Sequence, residues 1–417
     1  MISTKLSNKA PISDKIPRRL LFLYEILALS LLFVYQKDSL DQYIITIGIG
    51  LVLVVYISNY LLLKISKGDN YIFLIATMLM SIGIIMIYRI NPEAGVRQLM
   101  WLSLGILFFY ISYFIVRYIK GLENLTYLYI GIAYSLFIIT FALGQRTYGA
   151  INWISIAGLS FQPAEITKLV LIFILACYYS QYEKFKEIKY SSYILMAIVY
   201  SFIGLLFLQR DLGMAAIFYG IFLVLQFIYE KDRKLILLNI GLMLLGAIIA
   251  YFAFSHVRVR VETWIDPWRY IDDKGYQITQ SLFAIAEGGF FGKGLGLGHP
   301  QFIPLAYNDF IFAAICEELG IFTGIGIIML FLILVYRGFK IAIGQTNTFY
   351  RILALGISTL FGVQSFVILG GVLKVIPLTG ITLPFVAYGG TSILSSFIAL
   401  GVLQAASEDV DWRMDNE

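Results

Sequence analysis

The chain has 417 residues, of which 59% are apolar and 14% charged, and its mean hydropathy is +0.83. That balance excludes a water-soluble globule and makes the bilayer its solvent. The net charge of +5 comes from basic residues scattered between apolar runs, which argues against nucleic acid as a partner.

A helix needs roughly 20 apolar residues to cross the hydrocarbon core. Runs of that kind predict spans at 20–35, 43–63, 71–88, 99–116, 124–143, 164–180, 191–208, 212–229, 235–254, 309–336, 350–373 and 381–403. The expected fold is therefore all-α, a polytopic integral membrane protein with about twelve transmembrane helices. The first run has a basic flank like a signal peptide, but no small-residue cleavage site follows it, so a retained helix is expected. Cys177 and Cys316 both fall inside apolar runs, which indicates core packing rather than a disulfide framework or a metal cage.

Short cytoplasmic loops collect Lys and Arg, and this orients the set. Starting inside, the cytoplasmic segments hold nineteen of the 31 basic residues and the outer segments eleven, with Lys168 inside a span. Both termini are thus expected in the cytoplasm, as tails at 1–19 and 404–417, and 256–308 is the one large extracytoplasmic loop. Within it Ile278, Leu282, Phe283, Ile285 and Ala286 recur at helical spacing, predicting an amphipathic helix on the membrane surface. The glycine-rich run from Gly288 to Gly298 is not a phosphate loop, because position 287 is Glu and no Ser or Thr follows Lys293.

Ionisable groups within or beside apolar spans are costly, so each is a functional candidate. Trp153 precedes a segment in which Pro163 fits a first helical turn, and Glu165 and Lys168 at i and i+3 share a face. They form either a structural ion pair or a site. Arg210 and Asp211 stand at a short outer turn, where Asp211 either caps the next helix or serves function. Asp309 opens a helix at the outer face, where it is a cap candidate or a general base kept ionised by the helix N-terminus. The chain lacks a Ser–His–Asp set and a His–Glu–x–x–His motif and contains only His256 and His299, which disfavours hydrolase and zinc chemistry. Glycosyl transfer from a lipid pyrophosphate needs less: one carboxylate base, cations for the leaving group, and a groove open to lipid.

The ordered motifs carry a family likeness. They are Trp153-Ile154 with Phe161-Gln162-Pro163-Ala164-Glu165 and Lys168, then Gln209 with Asp211-Leu212-Gly213, then Asp266-Pro267-Trp268 with Gly275-Tyr276-Gln277. Gly292 with Gly294-Leu295-Gly296, Asp309-Phe310-Ile311-Phe312-Ala313 with Glu317-Glu318-Leu319-Gly320, and Pro377-Leu378-Thr379-Gly380 through Ser392 follow. The set resembles the SEDS proteins of cell-wall synthesis, the RodA/FtsW/SpoVE type. The resemblance implies a ten-helix core, here 67–403, preceded at 20–66 by two additional helices.

It also implies a peptidoglycan glycosyltransferase in the bacterial cytoplasmic membrane. Such an enzyme polymerises lipid II on the outer face, releases undecaprenyl pyrophosphate, extends an undecaprenyl-linked glycan, and works with a class B penicillin-binding protein in elongation, division or sporulation. Carried onto this chain, the family's essential aspartate is Asp309, and its tryptophan, glutamate and lysine are Trp153, Glu165 and Lys168. Asp309 is then the base for a GlcNAc 4-hydroxyl that displaces the pyrophosphate from a MurNAc anomeric carbon with inversion. Lys168, Arg210, Arg258, Arg260, Lys293 or a divalent cation, Mg or Mn, are the candidate sources of positive charge for the leaving group, with Asp211 nearby in the same set. Two other readings of the same charges are a lipid II flippase path and a non-catalytic scaffold for the penicillin-binding protein.

Overall fold

In a computed structural model of the chain, which describes residues 15–35, 42–147, 150–156, 159–408 and 410, the apolar runs become helices, several of them started by a capping side chain or a proline. The expected tails up to residue 14 and beyond residue 410, with Lys5, Lys9 and Arg413, lie outside the described residues. Helices α1 (Lys15–Tyr35) and α2 (Gln42–Ile65) lead into α3 (Asn70–Ile90), whose N-cap Asp69 accepts from the Tyr71 amide. Asn91 caps α4 (Pro92–Tyr118), with proline at the first turn, where its missing N–H costs nothing. Then come α5 (Thr126–Leu143), α6 (Pro163–Ser180), the short α7 (Tyr182–Lys186), α8 (Ser191–Leu208), α9 (Leu212–Tyr229) and α10 (Arg233–Ala253). Helices α11 (Ser255–Ile265) and α12 (Tyr276–Gly288) precede α13 (Ile311–Gly344), α14 (Thr348–Val372) and α15 (Gly390–Ala406).

Among the described residues ten helices are long and apolar enough to cross a membrane, and α1 and α15 complete the twelve expected positions. The chain is a multi-pass membrane protein. Burial divides the bundle: α3 is 89% buried, and α6 and α14 are 78% buried, whereas α5 and α10 are only 22% buried and turn apolar side chains outward, as lipid-facing helices do. Where α4 crosses α15 the contact depends on small residues. A Cβ added to Gly401 would lie 2.1 Å from Ser112 Oγ, so glycine lets the two backbones approach.

Three features depart from the sequence expectation. Between α5 and α6 the chain builds a small antiparallel sheet, β1 (Gln145–Thr147), β2 (Ala150–Ile156) and β3 (Leu159–Phe161), in the order β1-β2-β3. The large loop holds α11 as well as the expected amphipathic helix, and that helix, α12, packs Ile278 and Ala284 inward against α13. Helix α13 breaks at Gly320, whose φ of 82° is open to glycine at no steric cost. The backbone of Phe290 to Gly292 fills the break, and the Gly292 amide closes the preceding turn on Gly288. The glycine-rich run is therefore packed backbone to backbone against α13.

Candidate functional site

One cavity of about 150 Å³ opens at the end of the bundle where α11, α12, the start of α13 and the end of α14 meet. Its lining includes Arg260, Trp264, Lys274, Gln277, Asp309 and Lys374. Asp309 stands just before Phe310, the N-cap of α13, and no side-chain capping bond is made there, so the expected role as a helix cap is not realised. Its carboxylate is half-buried, and among the described residues no hydrogen bond or close ion pair engages it. Burial pushes its pKa up to about 6, with the Arg260 guanidinium opposing the rise. Desolvation outweighs the opposing Arg260 charge, so the group is a weaker acid than a solvated aspartate and is still ionised at neutral pH.

Arg260 is fixed by the connection that follows α14. Its Nη1 donates to Thr379 O at 2.7 Å. Gly380 keeps a space beside it: with φ 73° and no side chain, it leaves Arg260 Nη2 and Asp309 Oδ2 at 3.0 and 3.7 Å from where a Cβ would stand. Burial lowers the Arg260 pKa, and the carboxylates of Asp309 and Asp211 raise it. Arg260 therefore lies in the field of two acids.

Asp211 anchors the second group of candidates. Its Oδ1 accepts from the Met214 amide at 3.1 Å and caps α9, as one of its two sequence readings held. Its Oδ2 accepts from Asn152 Nδ2 at 3.0 Å and Gln162 Nε2 at 2.7 Å, tying β2 and the start of α6 to the α8–α9 turn. Burial raises its pKa, and the Glu165 charge adds to the rise, while these hydrogen bonds oppose it. Trp153 is half-buried in β2 next to Asn152, paired in register with Gln145.

Glu165 and Lys168 are 4% and 0% exposed and form an ion pair at 2.6 Å. Ser395 also donates to Glu165, and Lys168 Nζ donates to Gln364 Oε1 at 3.1 Å. Gln364 in turn donates to Thr382 O at 3.0 Å, so the pair supports the same connection whose Thr379 holds Arg260. Neither Glu165 nor Lys168 lines the cavity.

The other candidate cations are elsewhere. Lys293 is paired with Glu287 and lies 3.5 Å from Glu317. Arg258 is exposed, over the Tyr251 ring, and Arg210 is exposed with a left-handed backbone. Of the candidates, the cavity brings together Asp309 and Arg260 alone, and it adds Lys274, Lys374 and Trp264, which the sequence did not single out. Among the described residues no group of three or more His, Cys, Asp and Glu side chains converges as a metal cluster.

The FtsW, RodA and SpoVE family model, described as cell cycle protein, matches residues 69–411, beginning after α2. A protein named peptidoglycan glycosyltransferase RodA from Mycobacterium tuberculosis is 35% identical over 370 residues, spanning 81% of this chain and 78% of that one. Stage V sporulation protein E of Bacillus subtilis is 30% identical over 359 residues, covering 82% and 97%. The crystal structure of the rod shape determining protein RodA of Thermus thermophilus superposes with a TM-score of 0.62 at 26% identity, covering 83% and 99%. A chain from a structure described as showing structural coordination of polymerization and crosslinking by a peptidoglycan synthase complex gives 0.67 at 25% identity, covering 82% and 98%.

Proposed function

We infer a peptidoglycan glycosyltransferase, since the chain belongs to the FtsW, RodA and SpoVE family and relatives 35% identical to it bear that name. The observation that carries a mechanism is a half-buried carboxylate, Asp309, left without a hydrogen bond or close ion pair in a cavity it shares with Arg260. An acid with a pKa of about 6 is ionised at neutral pH yet basic enough to accept a proton, which is what a general base requires.

The reaction follows from that group. Asp309 takes the proton of the GlcNAc 4-hydroxyl of an acceptor lipid II. The freed oxygen bonds to the MurNAc anomeric carbon of the donor glycan, the bond from that carbon to the diphosphate oxygen breaks, and undecaprenyl diphosphate leaves with the electron pair. Attack from the face opposite the leaving group inverts the anomeric centre. Arg260 supplies positive charge beside the base and restrains its pKa.

The distribution of basic residues supports an orientation with both termini in the cytoplasm and the cavity on the outer face of the cytoplasmic membrane. The likeness to a chain of a peptidoglycan synthase complex supports a class B penicillin-binding protein as partner. Helices α1 and α2 are then an N-terminal addition to the family core. Polymerisation of lipid II by the purified full chain with its partner tests the reading. Asp309→Ala is expected to lower the rate by about 10²–10⁴-fold, the range for a lost general base. Undiminished polymer from that variant contradicts it.

A further inference from the structure

Two of the cavity's cations, Lys274 and Lys374, have no part in the chemistry above, and neither is ion-paired among the described residues. Helix stabilisation does not account for them. Lys274 directly precedes Gly275, the N-cap of α12, at the positive end of that helix, where the macrodipole disfavours a cation. Lys374 follows the end of α14 and has φ 59°, a left-handed conformation for which a helix terminus normally uses glycine or asparagine. The Lys374 carbonyl accepts from Trp264 Nε1 at 3.2 Å, and the following amide of Val375 closes on Gly370 O at 2.7 Å. These bonds hold the strained residue in place. A lysine kept where glycine would fit better, lining a cavity, indicates that its ammonium group is used there.

Charge and size limit the ligand. Arg260, Lys274 and Lys374 line the cavity against the one carboxylate of Asp309, so its lining carries an excess of positive charge that favours an anion. At about 150 Å³ it is smaller than the ~300–1,000 Å³ of sites that enclose a whole ligand, so it takes a head group while sugars and prenyl chain extend outside. A carboxylate beside cations also suits a leaving group placed next to a general base.

We propose that Lys274 and Lys374 form the subsite for the diphosphate of a prenyl-linked glycosyl donor and hold that leaving group beside Asp309. The proposal rests on the glycosyltransferase reading, and its test is separable from it because the probe is bound rather than turned over. Undecaprenyl diphosphate is titrated against the purified full chain in detergent, with undecaprenyl monophosphate as the comparison. Lys374→Gly removes the charge and suits the left-handed backbone, so it keeps the fold. Lys274→Met removes the second charge, and Lys374→Arg retains one.

Each neutral variant is expected to weaken diphosphate binding by about tenfold, and the double variant by more, as for lost charge-assisted hydrogen bonds. The monophosphate loses less, and Lys374→Arg stays near the unsubstituted protein. Equal diphosphate affinity in the unsubstituted protein and the double variant, at unchanged melting temperature, overturns the proposal, as does a wild-type protein that binds no undecaprenyl diphosphate. Binding that weakens as expected in a protein that makes no polymer upholds the subsite and overturns the catalytic reading alone.

Discussion

Asp309 and Glu165 are both acids facing cations, yet they have opposite fates. Glu165 is sealed between helices with Lys168 at 2.6 Å, and Ser395 also donates to it. Asp309 lines an open cavity with Arg260 near it and no hydrogen bond or close ion pair. A charge committed to a buried partner holds structure; one left uncommitted at a cavity wall is available for chemistry. The two are nonetheless linked. Lys168 reaches through Gln364 to Thr382, in the connection whose Thr379 carbonyl fixes Arg260.

This contrast is open to attack at several points. Lys168→Met should have the largest effect on stability, about 3–5 kcal/mol, because it strands a buried carboxylate. Melting of the detergent-solubilised protein measures it, and Glu165→Gln added to the same chain should restore part of the loss. An unchanged melting temperature with a raised KM for lipid II would instead make Lys168 a substrate contact. Arg260→Gln should act on the other acid. Arg260 lowers the Asp309 pKa, so its removal raises that pKa and moves the acid limb of the pH–rate profile upward by about one unit. A limb that stays in place, or moves down, separates Arg260 from the base. Lys293→Ala should have the smallest effect, within about twofold in kcat/KM, because Glu287 and Glu317 already engage the ammonium group. A loss of about tenfold or more would return Lys293 to the site.

The membrane helices were legible because continuous apolar runs can hardly form anything else in a bilayer, and of their caps Asp211 was read as a candidate, whereas Asp69, Asn91 and Asn347 emerge only from the structure. Helix α11 was hidden. Val257-Arg258-Val259-Arg260-Val261 alternates with the period of a strand, and only tertiary packing makes it helical. The small sheet after α5 was missed because two of its three strands have only three residues each, too short for a periodic signal.

Asp309 was readable as a candidate from its place at a helix start and as a base only through family resemblance. Arg260 was one cation among several until Thr379 and Gly380 set it against Asp309. Lys274 and Lys374 carried no signal because they stand in different connections, and their convergence belongs to the tertiary structure. For the same reason the spacing of Glu165 and Lys168 announced a pair but not its burial.

The most direct test is the pH dependence of lipid II polymerisation by the full chain with its partner. The Asp309 carboxylate must be ionised to accept a proton, so kcat/KM should rise with pH, level off above about 6, and fall toward about tenfold per pH unit well below that value. In Asp309→Ala this acid limb should be absent from the residual rate. A wild-type profile that is flat through that region, or an acid limb that persists unchanged without Asp309, contradicts the assignment of Asp309 as the base.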